Sequence, residues 1–170
     1  MSPTQTDRDR RPLRLLFVCS GNTCRSPLAE VIARRLAEDL DMESPEIRSA
    51  GTHASPGFPA SEGARNAAAR HGLSLSQHRS RVLTEAEVEW ADLVLVMGPG
   101  HLRVVENLGG EGKADLLGSF AQGSPAAEAG EAWGIPDPFG GNEHVYEATF
   151  LAIERYLKMV LKRLAERSGP

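Results

Sequence analysis

Two side chains that could bind and attack a phosphate group lie close together near the start of the chain. Cys19 and Arg25 are separated by five residues in the segment L-L-F-V-C-S-G-N-T-C-R-S-P-L-A-E, which spans residues 15–30. A cysteine thiolate is a strong nucleophile, and a guanidinium offers a planar set of donors that matches two oxygens of a phosphate. These residue types at this spacing predict a phosphate-binding loop with a nucleophile at its centre.

The neighbouring residues are those that a strand, a tight loop and a helix would need. The apolar run before Cys19 is typical of a buried strand, and Ser26-Pro27 is typical of a helix start. A loop entering a helix N-terminus directs its N–H groups at one point, where the helix dipole favours an anion. Gly21 and Asn22 tolerate positive φ, so the loop can curl with its N–H groups facing inward.

Each cysteine also has an ordinary interpretation as a small buried apolar residue. For Cys19 the surrounding loop residues favour the nucleophile. For Cys24 the residues alone leave both interpretations open.

The segment V-C-S-G-N-T-C-R-S-P resembles the signature of the low-molecular-weight protein tyrosine phosphatases, which are cysteine-dependent enzymes with a C-x5-R-S loop. The resemblance continues in S-A-G-T at residues 49–52, A-D-L-V-L-V-M at 91–97 and D-P-F-G-G at 137–141. It therefore extends from residue 13 nearly to the C-terminus.

The resemblance implies a metal-independent phosphatase without a cofactor, with Cys19, Arg25 and Asp137 as catalytic residues. Cys19 would attack phosphorus to form a phosphocysteine, Arg25 would stabilise the charge, and Asp137 would act first as acid and then as base. Taken alone, Asp137-Pro138 in a proline-rich segment is more typical of a turn.

The resemblance also implies contacts to the phosphate or the substrate from the rest of the loop and from the residue after the Asp-Pro pair. These residues are Ser20, Gly21, Asn22, Thr23, Cys24, Ser26 and Phe139. Ser49 would support the loop by a hydrogen bond to Asn22, although a strand-end turn residue is its ordinary interpretation. In the family a second cysteine, here Cys24, can form a reversible disulfide with the nucleophile.

The expected substrate is a phosphorylated protein, with inorganic phosphate or a similar oxyanion in the loop. Phosphotyrosine is the expected phosphorylated residue. Two positions resemble instead the branch that acts on phosphoarginine. One is Thr23, where tyrosine-specific members often carry an aliphatic residue, and the other is Phe139, which is followed by glycines. An arsenate reductase would need further cysteines after Cys24, and the chain has none. A phosphate-binding module without turnover is the remaining alternative.

Composition is consistent with one globular domain, expected at residues 13–167 after a flexible tail at residues 1–12. The chain has 170 residues, 41% of them hydrophobic, and a net charge of −4, which argues against nucleic acid or an anionic membrane as a partner. It contains no apolar run long enough to span a bilayer and no signal-peptide core at the N-terminus. Two cysteines at this spacing indicate no disulfide framework, so we expect a cytoplasmic protein.

Strand and helix patterns alternate along the chain and predict an α/β fold, a small doubly wound four-stranded parallel sheet with helices on both faces. The family resemblance implies the same fold, the flavodoxin-like three-layer arrangement of the phosphotyrosine protein phosphatases. Strands are expected at residues 13–19, 46–51, 92–97 and 113–117, and helices at 26–40, 60–71, 84–90, 99–108 and 143–166. Residues 118–138 are expected to form a long loop.

The basic segment 76–81 is either a solvated loop or a support for the sheet edge near the site.

Overall fold

Four parallel strands form one sheet in the order β2-β1-β3-β4 in this computed structural model. The structure describes residues 4–9, 11–124 and 133–167. The strands are β1 (Arg14–Cys19), β2 (Glu46–Gly51), β3 (Leu93–Val96) and β4 (Ala114–Leu116). The helices are α1 (Gln5–Arg8), α2 (Arg25–Asp39), α3 (Glu62–Arg70), α4 (Glu85–Trp90), α5 (Pro99–Val105), α6 (Leu117–Gln122) and α7 (Glu143–Arg167). The predicted α/β class and the parallel four-stranded sheet are confirmed.

The strand order places a crevice at the end of β1. β1 pairs with β2 on one side, where Cys19 lies opposite Gly51, and with β3 on the other, where Val18 lies opposite Val96. The chain therefore changes direction across the sheet between β2 and β3. In open parallel sheets ligands bind beyond the carboxyl ends of the strands at such a point, and β1 ends at Cys19.

Alternating side chains of the strands contribute to a core on each face of the sheet. Leu15 and Phe17 pack in a cluster with apolar residues of α2, α3, α6 and α7. Leu16 and Val18 pack on the opposite face with Val88 of α4 and Val105 of α5. Since full burial of such a side chain is worth about 1.5–3 kcal/mol, the two clusters hold β1 rigidly beneath the loop that follows it.

Several boundaries differ from the sequence predictions. The expectation that a loop begins at residue 118 is wrong, because Leu117–Gln122 is α6, with Leu117 and Ala121 buried in the core and Gly123 ending the helix at φ +70°. Residues 125–132 of that expected loop lie outside the described residues. The helix expected at 99–108 ends at Val105 and continues as a π-helical turn, Glu106–Gly110.

Some of the described residues before β1 make side-chain hydrogen bonds. Thr4 caps the single turn of α1, and Arg11 donates two hydrogen bonds to the carboxylate of Asp92, at 2.8 and 2.9 Å. Across residues 4–9, 11–124 and 133–167, the structure contains no helix with the length and apolar character needed to cross a membrane.

Candidate active site

The loop between β1 and α2 brings the predicted thiol and guanidinium to the carboxyl edge of the sheet. Cys19 is the last residue of β1 and Arg25 is the first residue of the fifteen-residue helix α2. Both are almost fully buried, with 2% and 7% of their surface exposed. The first turn of a helix leaves N–H groups without intrahelical acceptors, so the loop directs donors and the positive end of the dipole at the same point.

Asn22 holds the shape of this loop. Its φ is +54°, in the left-handed region, and its side chain is completely buried. The Nδ2 group donates to Ser26 Oγ at 2.8 Å and to Ser49 Oγ at 2.9 Å. The structure thus contains the hydrogen bond between Asn22 and Ser49 that the family resemblance implied.

The basic segment around residue 80 completes the support of Asn22. The main-chain N–H of Arg81 donates to Asn22 Oδ1 at 2.9 Å, and His78 Nε2 donates to the Asn22 carbonyl at 2.7 Å. Gly51 N–H in turn donates to the Arg81 carbonyl at 2.9 Å. The interpretation as a merely solvated loop is therefore wrong, and the alternative of a support at the sheet edge is confirmed.

Ser26 contacts the sulfur of Cys19. The two side chains are 2.9 Å apart, and Ser26 Oγ already accepts a hydrogen bond from Asn22 Nδ2. With Asn22 as its donor, the hydroxyl of Ser26 is directed to donate to the sulfur. A donor at this distance can stabilise negative charge on the sulfur when the sulfur acts as a leaving group.

Arg25 and Asp137 face each other across the mouth of the loop. The Nη1 group of Arg25 donates to the Ile135 carbonyl at 2.8 Å, and Nη2 lies 3.8 Å from Asp137 Oδ2. Among the described residues, the buried Nε of Arg25 has no partner. The guanidinium is thus anchored on one side, and its other donors remain available for an oxyanion.

The Asp137 carboxylate is held at this position but remains accessible. Its Oδ1 accepts the N–H of Phe139 at 3.1 Å, and 54% of its side chain is exposed to solvent. Phe139 follows with 76% of its surface exposed. An exposed carboxyl beside a buried arginine is suited to exchange protons with a bound group and with water.

Sequence reasoning missed His101, whose Nε2 lies 2.8 Å from Ser20 Oγ. Burial, together with the nearby charge of Arg25, lowers the pKa of His101 from 6.5 to about 4. The imidazole is therefore neutral at physiological pH. A signal was present in the sequence, since His101 follows β3 and β3 is adjacent to β1 in a parallel sheet.

The second cysteine, Cys24, is a free thiol that contacts three side chains. Its sulfur lies 3.2 Å from Ser61 Oγ and 3.5 Å from the hydroxyl of Tyr146, a residue that the sequence analysis also missed. Burial and the hydrogen bond with Cys24 raise the pKa of Tyr146. Thr23 Oγ1 lies 3.8 Å from the same sulfur, so these side chains form the flank of the loop that faces α3 and α7.

Within the part of the chain that the structure describes, no cluster of three or more His, Cys, Asp or Glu side chains has an arrangement that could hold a metal ion. The positive charge of the site comes from Arg25 and from main-chain N–H groups.

A parallel sheet with a thiol and an arginine in one anion-binding loop, and a carboxylate facing them, defines the class of cysteine-dependent phosphatases. The family model of the low molecular weight phosphotyrosine protein phosphatase matches residues 14–168 of the chain. The chain belongs to this family.

Two relatives named as protein phosphatases align with about nine tenths of the chain. A protein-arginine-phosphatase of Geobacillus stearothermophilus is 35% identical over 158 residues, which are 92% of this chain and 96% of the relative. The low molecular weight protein-tyrosine-phosphatase Etp of Escherichia coli strain K12 is 32% identical over 153 residues, 89% of this chain and 94% of the relative.

Solved structures share the fold. One is a mutant of the YwlE arginine phosphatase in which a phosphorylated serine replaces the active-site cysteine. It superposes with a TM-score of 0.83 at 34% identity, and the match covers 92% of this chain and all of that one. The tyrosine phosphatase Wzb from Escherichia coli K30 in complex with sulphate superposes with a TM-score of 0.72 at 31% identity, covering 94% of this chain and all of that one.

Proposed function

We propose that this chain is a metal-independent protein phosphatase that hydrolyses phosphorylated side chains through a phosphocysteine intermediate on Cys19. The observation that carries the proposal is the meeting of Cys19, Arg25 and Asp137 at the N-terminus of α2. The phosphorylated active-site serine of the related YwlE mutant supports a phosphoenzyme intermediate at this position.

In the first step the loop N–H groups and Arg25 hold the phosphoryl oxygens while the Cys19 thiolate attacks phosphorus in line. The S–P bond forms as the bond from phosphorus to the leaving oxygen or nitrogen breaks, and Asp137 gives its proton to the leaving group. Arg25 and the N–H groups stabilise the charge on the equatorial oxygens, because they are already oriented before the reaction begins.

In the second step Asp137 accepts a proton from a water molecule, whose oxygen attacks the phosphocysteine. The S–P bond breaks, inorganic phosphate leaves, and the thiolate is restored. The hydroxyl of Ser26, 2.9 Å from the sulfur, stabilises the departing thiolate.

For the substrate, Thr23 favours phosphoarginine over phosphotyrosine. A hydroxyl at this point of the loop could accept a hydrogen bond from a guanidinium nitrogen or orient the attacking water, whereas an aliphatic side chain could do neither. The protein-arginine-phosphatases of Geobacillus stearothermophilus and Bacillus subtilis, 35% and 36% identical to the chain, support this preference.

Phosphotyrosine is the second candidate substrate. The exposed ring of Phe139 can stack against a phenyl group as well as against a guanidinium, and the relative Etp is a tyrosine phosphatase. Because a thiolate nucleophile needs a reducing environment, we expect the substrate protein in the cytoplasm.

The first experiment measures hydrolysis of p-nitrophenyl phosphate with and without a chelator, beside a Cys19→Ser control. Activity that is insensitive to the chelator and absent in the control is expected. Tight phosphate binding without hydrolysis would instead identify a binding module.

The second experiment compares kcat/KM on phosphoarginine and phosphotyrosine peptides for wild type and Thr23→Ile. We expect the wild type to prefer phosphoarginine and the variant to shift towards phosphotyrosine. If the wild type did not hydrolyse phosphoarginine, that substrate would be excluded and phosphotyrosine would remain as the candidate.

A further inference from the structure

A groove of about 860 Å³ lies on the surface beside the active site, between α3 and the segment that follows Pro138. One wall is the exposed face of α3, the other is the segment 139–143, and Ser61 and Tyr146 line it between them. A volume of this size lies within the range of binding sites for ligands of moderate size. No step of the mechanism above uses this groove.

Two residues that line the groove are hydrogen-bonded to residues of the site. Phe139 lines it, and the N–H of Phe139 is bound to the carboxylate of Asp137. Ser61 also lines it, and the N–H of Ser61 donates to the Thr23 carbonyl of the phosphate loop at 2.9 Å. A polypeptide whose phosphorylated side chain enters the loop therefore has its main chain at one end of the groove.

The length of the groove fits a short extended peptide. Glu62, Asn66 and Arg70 line it at successive turns of α3, so they span about 12 Å at 1.5 Å per residue. An extended chain advances about 3.3 Å per residue, and the groove therefore accommodates about three or four residues. Asn66 is exposed midway and offers both a donor and an acceptor, which suits a peptide main chain.

The charges of the groove favour a basic segment. Arg70 is already paired with Glu143 and Glu147, each at 3.1 Å. Glu62 is exposed and lies next to Ser61, at the end nearest the phosphate loop, and among the described residues it forms no ion pair. The walls thus present an uncompensated carboxylate close to the position of the phosphorylated residue.

We propose that this groove binds the extended segment of the substrate protein beside the phosphorylated residue, and that Glu62 selects a lysine or arginine there. The inference rests on the proposed function and adds sequence selectivity to it. An exposed ion pair contributes about 0.2–1 kcal/mol, which corresponds to a change of about 1.4-fold to fivefold in kcat/KM.

The test uses two peptides that carry the same phosphorylated residue with lysine or with glutamate at the flanking positions, and the free phosphorylated amino acid as reference. For the wild type we expect a several-fold higher kcat/KM on the lysine peptide, arising in KM and decreasing with salt. Glu62→Lys is expected to abolish or invert this ratio. Glu111→Lys, an equal charge change on an exposed residue in the turn that precedes β4, should keep it.

A second variant tests the contact with the main chain. Asn66→Ala is expected to lower kcat/KM on both peptides relative to the free phosphorylated amino acid. The groove would be ruled out as a docking site if Glu62→Lys gave the same ratio as Glu111→Lys, or if the free amino acid were hydrolysed as well as either peptide.

Binding of the same peptides, measured by fluorescence anisotropy, separates this inference from the proposed function. Preferential binding of the lysine peptide without hydrolysis would contradict the proposed phosphatase activity and support the groove as a docking site. Hydrolysis without any flank preference in rate or binding would support the phosphatase activity and contradict the docking site.

Discussion

Asn22→Ala is expected to disrupt the conformation of the phosphate loop and so to weaken both phosphate binding and the stability of the fold. The side chain of Asn22 makes three hydrogen bonds, to Ser26, Ser49 and the main chain of Arg81, at 2.8–2.9 Å. It also occupies a left-handed conformation with φ +54°. Alanine would lose the three bonds and would strain the backbone.

The cost can be estimated from these contacts. Each buried hydrogen bond contributes about 1 kcal/mol, and a left-handed conformation costs an alanine about 1 kcal/mol. Asn22→Ala should therefore lower the free energy of unfolding by about 4 kcal/mol, a large part of the 5–15 kcal/mol typical of a domain. Ser49→Ala removes one of the bonds and should cost about 1 kcal/mol.

The assay combines urea unfolding with the inhibition constant of inorganic phosphate. Both variants should bind phosphate more weakly, Asn22→Ala by at least tenfold, because the N–H groups of the loop no longer converge. Thr84→Ala is the matched control, since it removes the cap of α4 at a cost of about 1 kcal/mol and should leave phosphate binding unchanged. If Asn22→Ala lost less than about 1 kcal/mol and kept its phosphate affinity, the loop would not depend on this side chain.

Three further predictions concern the surroundings of the loop. Because the pKa of His101 falls from 6.5 to about 4 on folding, the protein should lose stability as the pH falls from 6.5 to 4, by about 1–2 kcal/mol after allowance for its partial exposure. Urea unfolding of His101→Gln should show a flatter pH dependence, and an unchanged slope would contradict this. Gly51→Ala would place a Cβ 2.9 Å from Asn22 N and closer still to the Ser20 carbonyl oxygen. Because the phosphate loop must shift to relieve this clash, inhibition by inorganic phosphate should weaken. An unaltered inhibition constant would show that the loop adapts without loss of phosphate binding. Asp137→Asn should lower kcat on a phosphotyrosine peptide by about a hundredfold or more with little change in melting temperature, and full activity would exclude the proposed acid.

The sequence could predict the elements whose signals are local. The strand before Cys19, the turn at Gly21 and Asn22 and the helix after Arg25 follow one another within a few residues, so their spacing alone indicates the phosphate loop. The closing helix α7 was likewise visible in the helical spacing of its apolar residues, and its observed range, Glu143–Arg167, matches the expected 143–166 within one residue.

α6 shows where local signals are too weak. Its six residues, L-G-S-F-A-Q, include a glycine and a serine and carry no clear helical pattern. The segment becomes helical because Leu117 and Ala121 are buried against the core, and this burial arises only after the sheet and α7 are assembled.

Residue types and spacing along the chain were therefore enough to predict the loop that carries the thiol and the guanidinium, and the order of strands and helices, since each depends on neighbours in sequence. The partners of the loop required the folded chain. His101 lies 81 residues from Ser20, Tyr146 lies 122 residues from Cys24, and the N–H of Arg81 lies 59 residues from Asn22. Contacts over such separations form only because the parallel sheet brings the ends of β1, β2 and β3 together and α7 packs against α2, and no periodicity within a single segment carries that information.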